Sequence, residues 1–81
     1  MEIRDIPGAT RTIGVSQGYR GLPLRDETIN CTVNGPDTPQ MVTEWLPSES
    51  ELIALQNGAP IRVCILGTRH PPILVEVGTM P

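Results

Sequence analysis

Two runs near the C-terminus, "IRVCILG" from residue 61 and "ILVEVG" from residue 73, restrict this chain more than any other feature. Both are dense in β-branched residues and read as strands. In the first, Ile61, Val63 and Ile65 share one face with Arg62, Cys64 and Leu66 opposite; in the second, Ile73, Val75 and Val77 oppose Leu74 and Glu76. A strand apolar on both faces is the kind that folded proteins cover on both faces. That is a demanding requirement for 81 residues, because a domain this small buries only roughly 60 to 65% of the surface its unfolded chain exposes. The spacing predicts an antiparallel hairpin, residues 61–66 and 73–77. A helix would cover one of its faces, and a partner subunit or the N-terminal half the other.

The helix is predicted just upstream. Met41 to Leu46 alternate as a short strand that Pro47 ends, and Ser48 with Glu51 has the spacing of a capping box, which satisfies two orphan amide donors reciprocally. A helix over 49–56 places Leu52, Ile53 and Leu55 on an inward stripe, and Asn57-Gly58 supplies residue types that tolerate a left-handed stop. Two turns of helix are marginal alone, so packing on a sheet is expected.

The first half is punctuated by turn residues at "IPGAT", "SQGYRGLP" and "NGPDTP", which leaves "TRTIGV" and "ETINCTV" as strands and Asn34 to Asp37 as a tight turn. The expected fold class is α+β, in one small domain spanning 1–81: a mainly antiparallel sheet with one short helix between the strand at 41–46 and the C-terminal hairpin. A crossover through the helix is long enough to set its flanking strands parallel, which would make the sheet mixed.

Composition narrows the function classes. The net charge is −3, which argues against a duplex nucleic acid as partner, since that contact depends on neutralising phosphates. All six basic residues are arginine. The guanidinium fork suits phosphates and carboxylates, although a GC-rich coding sequence produces the same bias. Two cysteines, Cys31 and Cys64, and the single histidine do not make a four-ligand zinc site, and the thiols are expected in the core. No metal or cofactor is implied. The charged N-terminus "MEIRDIPGAT" does not read as a secretion signal, and no apolar run approaches the roughly 20 residues of a membrane span, so a cytoplasmic protein without a membrane partner is expected.

Catalysis fails by elimination. A Cys64–His70 pair lacks anything to depress the thiol pKa, Asp26-Glu27 has no partner motif, and neither a P-loop nor a nucleophile elbow is present. Binding is better served. In "LGTRHPPI" Gly67 and Pro71-Pro72 restrict the flanks of three consecutive donors, Thr68, Arg69 and His70, which would suit an anion at low ordering cost. Turn residues alone also explain the stretch as a rigid hairpin loop, with His70 bonded to neighbouring backbone and no ligand invoked. Tyr19 and Arg20 form an exposed pair on a glycine-flanked loop, fitted to stacking and phosphate contact, whereas Trp45 is expected to anchor the core.

The C-terminal half carries a composite pattern: Trp45, then Pro47-Ser48 at the helix start, Gly58-Ala59-Pro60 after it, and Leu66-Gly67 with His70-Pro71-Pro72 in the loop. In these features it resembles a group of short proteins encoded by phages and prophages. The resemblance implies a phage accessory context and no particular chemistry. Two functions are expected from the whole reading. One is a non-enzymatic homo-oligomer that sequesters a small anionic molecule such as a nucleotide signal between subunits, with Arg69, His70, Thr68, Tyr19 and Arg20 as its ligands. The other is an acidic protein that inhibits a host factor through a surface patch or sheet edge.

Overall fold

The computed structural model describes residues 1–78. Its order is β1 (Glu2–Arg4), β2 (Arg11–Ile13), a 3₁₀ turn at Val15–Gln17, β3 (Leu22–Cys31), β4 (Gly35–Val42), β5 (Glu44–Leu46) and α1 (Glu49–Gln56). The strands form two antiparallel sheets, β2-β3-β4 and β1-β5. The fold class is α+β, with one short α-helix.

The three-stranded sheet is narrower than its strand number suggests. β2 pairs with Leu22 to Leu24 of β3, and β4 pairs with the stretch from Arg25 to Cys31, so the two partners occupy successive segments of one long strand. The β3–β4 hairpin closes earlier than the sequence predicts. Thr32 to Asn34 make the turn, the Asn34 N–H donates to the Cys31 sulfur at 3.4 Å, and Gly35 already pairs with Cys31. The expected turn at Asn34 to Asp37 is thus largely strand. Its irregularity survives as a bulge: Pro36 and Asp37 lie opposite the single Asn30, and Asp37 takes a left-handed φ of 57°. Pro36 and Pro39 are tolerated because β4 is an edge strand.

The strand expected over 41–46 is split. β4 ends at Val42 opposite Arg25, and β5 then pairs with β1 in the register Glu2↔Leu46, Ile3↔Trp45 and Arg4↔Glu44. Thr43 is where the chain leaves one sheet for the other. Periodicity saw one extended segment, and competition between two partners divided it.

The helix forms as its caps dictate. Glu51 N–H donates to the Ser48 hydroxyl at 3.3 Å, Ser48 N–H donates to the Glu51 carboxylate at 2.8 Å, and Gly58 has a left-handed φ of 92° just past the end. The same carboxylate accepts from the Met1 ammonium at 2.7 Å, joining the start of β1 to the helix. Its expected inward stripe is only partly covered, with Leu52 and Ile53 exposed and Leu55 half-buried.

The C-terminal hairpin is absent. Residues 61–78 carry neither strand nor helix, with a bend at Leu66 to Thr68. Strand-forming sequence is present here without pairing. Gly67 adopts a φ of 120°, Pro71-Pro72 remove two amide donors at the re-entry, and no packed face stabilises the two segments against each other. With no strand after α1, no parallel pairing arises among the described residues.

The core is correspondingly small. Among the described residues the buried hydrophobics are Ile6 and Leu24. Their junction is tied by Thr10 N–H to the Leu24 carbonyl at 2.9 Å, Ala9 N–H to the Ile6 carbonyl at 3.2 Å and the Arg25 guanidinium to the Pro7 carbonyl at 3.1 Å. Trp45 does not anchor it: the indole is half exposed and donates to the Thr43 hydroxyl at 3.1 Å. The thiols are not core groups either, since Cys31 is half-buried and Cys64 exposed, both unbridged. Trp45 and Cys31 lie on strands with no covering layer, and Cys64 lies outside the strands.

The shortfall can be put in numbers. The chain exposes 7099 Å², whereas a compact monomer of 8.8 kDa exposes about 4,800 Å². Burial therefore reaches only about 45% of the extended-chain surface, well below the expectation from chain length. The radius of gyration, 14.5 Å, likewise exceeds the about 12 Å of a compact chain this long.

Candidate functional site

The best-built exposed feature is the loop that joins β2 to β3, residues 14–21. Glycines make it possible. Gly14 and Gly18 take left-handed φ angles of 91° and 83°, which let the chain enter and leave a single 3₁₀ turn. Two main-chain bonds lock it: Gly18 N–H to the Val15 carbonyl at 3.1 Å and Tyr19 N–H to the Gly14 carbonyl at 3.0 Å. Gly21 has a different reason. A Cβ there would approach the Thr12 and Val15 methyl groups at 2.8 and 3.0 Å, so the loop closes on β2 only because that side chain is missing.

This frame holds Val15 and Tyr19 at 64% and 66% exposure beside Arg20, whose guanidinium reaches Glu2 at 3.3 Å while its side chain stays largely in solvent. A shallow concavity lined by Thr12, Ile13, Gly14, Val15 and Ser16 adjoins them. Tyr19 and Arg20 are the pair that the glycine pattern indicates. Val15 and Ile13 were not among the sequence candidates, although Val15 lies inside the glycine-bounded segment and Ile13 directly before it.

The other candidates lie elsewhere. Thr68, Arg69 and His70 are exposed at the end of the bend over 66–68 and in the unassigned stretch that follows it. The His70 ring donates from Nδ1 to the carbonyl of Pro71 at 2.8 Å, which realises the backbone-bonded reading of this histidine. Among the described residues no hydrogen bond or ion pair joins Thr68, Arg69 or His70 to Tyr19 or Arg20. Arg69 itself takes part in no ion pair there.

A second concavity lies along the β3–β4 hairpin, where Arg11, Asp26, Glu27, Gln40 and Met41 meet. Its charges are mutually engaged. The Arg11 guanidinium binds both Asp26 oxygens at 3.0 Å, Thr10 donates to Asp26 at 2.6 Å, and Glu27 accepts from Arg25 and Gln40. The hydrogen bonds from Arg11 and then Thr10 hold the Asp26 carboxyl below its ordinary range, so this is a satisfied ionic brace across β2 and β3. The Cys31 thiol is also drawn down, by the N–H groups of Asn34 and Val33. Among the described residues no three His, Cys, Asp or Glu side chains converge as a metal site, and no helix is long and apolar enough to cross a membrane.

Comparison with protein-family models, with curated proteins and with solved structures found no match.

Proposed function

We propose that this chain is a non-enzymatic phage accessory protein that acts in the host cytoplasm by binding and inhibiting a host protein, with the loop at residues 14–21 as its contact surface. The observation that carries this reading is the exposure of Val15, Tyr19 and Arg20 on a loop whose tight turn its glycines permit and two internal hydrogen bonds hold. Interface hot spots are enriched in tyrosine and arginine, and a preorganised loop loses little conformational freedom on docking. The net charge of −3 favours a basic patch on the partner, and the resemblance to phage-encoded proteins supports the host context.

The test is capture and identification of the partner from a bacterial host lysate, reconstitution with that purified protein, and measurement of its affinity for the Tyr19→Ala and Arg20→Ala variants. Each hot-spot truncation is expected to weaken binding by about 30-fold without altering the circular dichroism. Unchanged affinity in both would remove the loop from the interface.

A second reading is favoured by the unpaired Arg69. An oligomer could sequester a small anion such as a nucleotide between subunits, with Thr68, Arg69 and His70 of one copy and Tyr19 and Arg20 of another as donors. Native mass spectrometry with an added nucleotide pool separates the two. The anion reading expects a defined mass gain that Arg69→Ala abolishes, whereas the protein-binding reading expects none.

A further inference from the structure

We infer that residues 61–77 are a docking element for a second copy of this chain, adding as strand to the open edges of the other copy's β1–β5 sheet.

Each copy holds both halves of such a contact. The donor is a segment of strand-forming, largely apolar sequence that carries no ladder and leaves Ile73, Leu74, Val75 and Val77 exposed. The acceptor is a sheet of two three-residue strands, fewer than the three or so strands that a sheet needs to be stable by itself. It too is undercovered, with Trp45 and Leu46 exposed on β5. Of the two edge strands of the other sheet, β4 carries Pro36 and Pro39, which withhold donors from an incoming strand, and β2 is three residues whose Arg11 is held by Asp26. The β1–β5 edges contain no proline.

The area agrees with one occupant of matching stoichiometry. The 7099 Å² exposed exceeds the compact-monomer value by about 2,300 Å². Two copies burying surplus on that scale would form an interface in the 2,000–5,000 Å² range of obligate homodimers. Every copy has this deficit from the moment of synthesis, before any host partner is met. A reciprocal exchange closes it with the one partner always present in equal number, and a two-fold arrangement ends the assembly at a dimer.

Self-association goes beyond the host-binding reading and fails or stands separately from it. The experiment is light scattering of the full chain over roughly 1 to 100 µM protein, with hydrogen exchange at the same concentrations, on the wild type and on Val75→Pro and Leu74→Asp. A dimer with slowed exchange in residues 61–66 and 73–77 is expected. Val75→Pro removes a ladder donor and Leu74→Asp an apolar contact, and each should raise the dimer dissociation constant at least tenfold while the circular dichroism of the monomer persists. A wild type monomeric throughout overturns the inference, even if residues 61–77 are protected, since the segment would then close on its own chain. A dimer in which that segment exchanges freely, or one indifferent to both substitutions, overturns it as well. Partner binding by a monomeric wild type would leave the host-binding reading intact.

Discussion

Residues 1–46 and residues 61–78 present opposite relations between sequence and structure. The first region is broken by prolines and glycines and has weak periodicity, yet among the described residues it holds all five strands and both buried hydrophobics. The second has the cleanest strand sequences in the chain and forms no strand. The difference lies in partners rather than propensity. β3 is long enough to serve β2 and β4 in succession, and β1 finds β5, so even short irregular segments acquire a ladder. The C-terminal segment has the side chains for burial but no ladder partner, and of its apolar residues only Ile65 is half-buried. Apolar content makes a strand possible; a neighbouring edge and a covering layer make it form.

The sharpest way to break this contrast is to truncate one leucine in each region. Leu24→Ala removes a side chain that is 1% exposed, and large-to-small core substitutions cost about 2–5 kcal/mol. In a core this small, urea denaturation followed by circular dichroism should show loss of most of the folding transition. Leu74→Ala, at 73% exposure, should leave the monomer's transition unchanged within about 0.5 kcal/mol, its effect appearing in assembly instead. Equal destabilisation by the two would mean that the regions share one core.

A smaller effect tests the hinge between them. Ser48→Ala deletes the hydroxyl that accepts from the Glu51 N–H and should lower helix stability by about 1 kcal/mol. Exchange of the α1 amides should quicken while those of β3 and β4 stay slow. If both sets quicken together, the helix is coupled to the sheets more tightly than its partly covered stripe indicates.

The smallest expected effect is a dependence on acidity. Bonds from the Met1 ammonium and then Ser48 pull the Glu51 carboxyl down from 4.5 to about 2. A carboxyl more acidic in the folded than in the unfolded state contributes stability that is complete above pH 4.5 and is lost as pH falls towards 2. The depressed Asp26 has the same sign. Both groups are solvent-exposed, so a mild decline in thermal midpoint below pH 4.5, steeper in low salt, is expected. In Glu51→Gln the slope should be shallower, and an unchanged slope would assign it to Asp26.

What could be read in advance follows the range of the interactions involved. Ser48, Glu51 and Gly58 specify α1 to the residue, because capping is decided within four positions of chain. Gly18 and Gly21 mark the loop that exposes Tyr19 and Arg20, because backbone freedom belongs to the residue itself, whereas Gly14, expected within the strand "TRTIGV", turns left-handed and opens that loop. The split at Thr43, the use of Pro36 and Pro39 inside β4 and the exposure of Trp45 were not legible, since each depends on which distant segment lies alongside. Likewise Arg69 and His70 are donors by sequence, but whether they join Tyr19 and Arg20 is a question of chain path.

By itself, then, the sequence determined the α+β class, the helix with its caps, and a glycine-framed loop carrying Tyr19 and Arg20. Tertiary structure alone decided that Met41 to Leu46 serve two sheets, that Ile6 and Leu24 make the core, and that residues 61–78 stay unpaired. The physical reason is that caps and turns are satisfied by atoms a few residues away. A strand is satisfied only by an edge and a cover that the rest of the chain, or another chain, must bring to it.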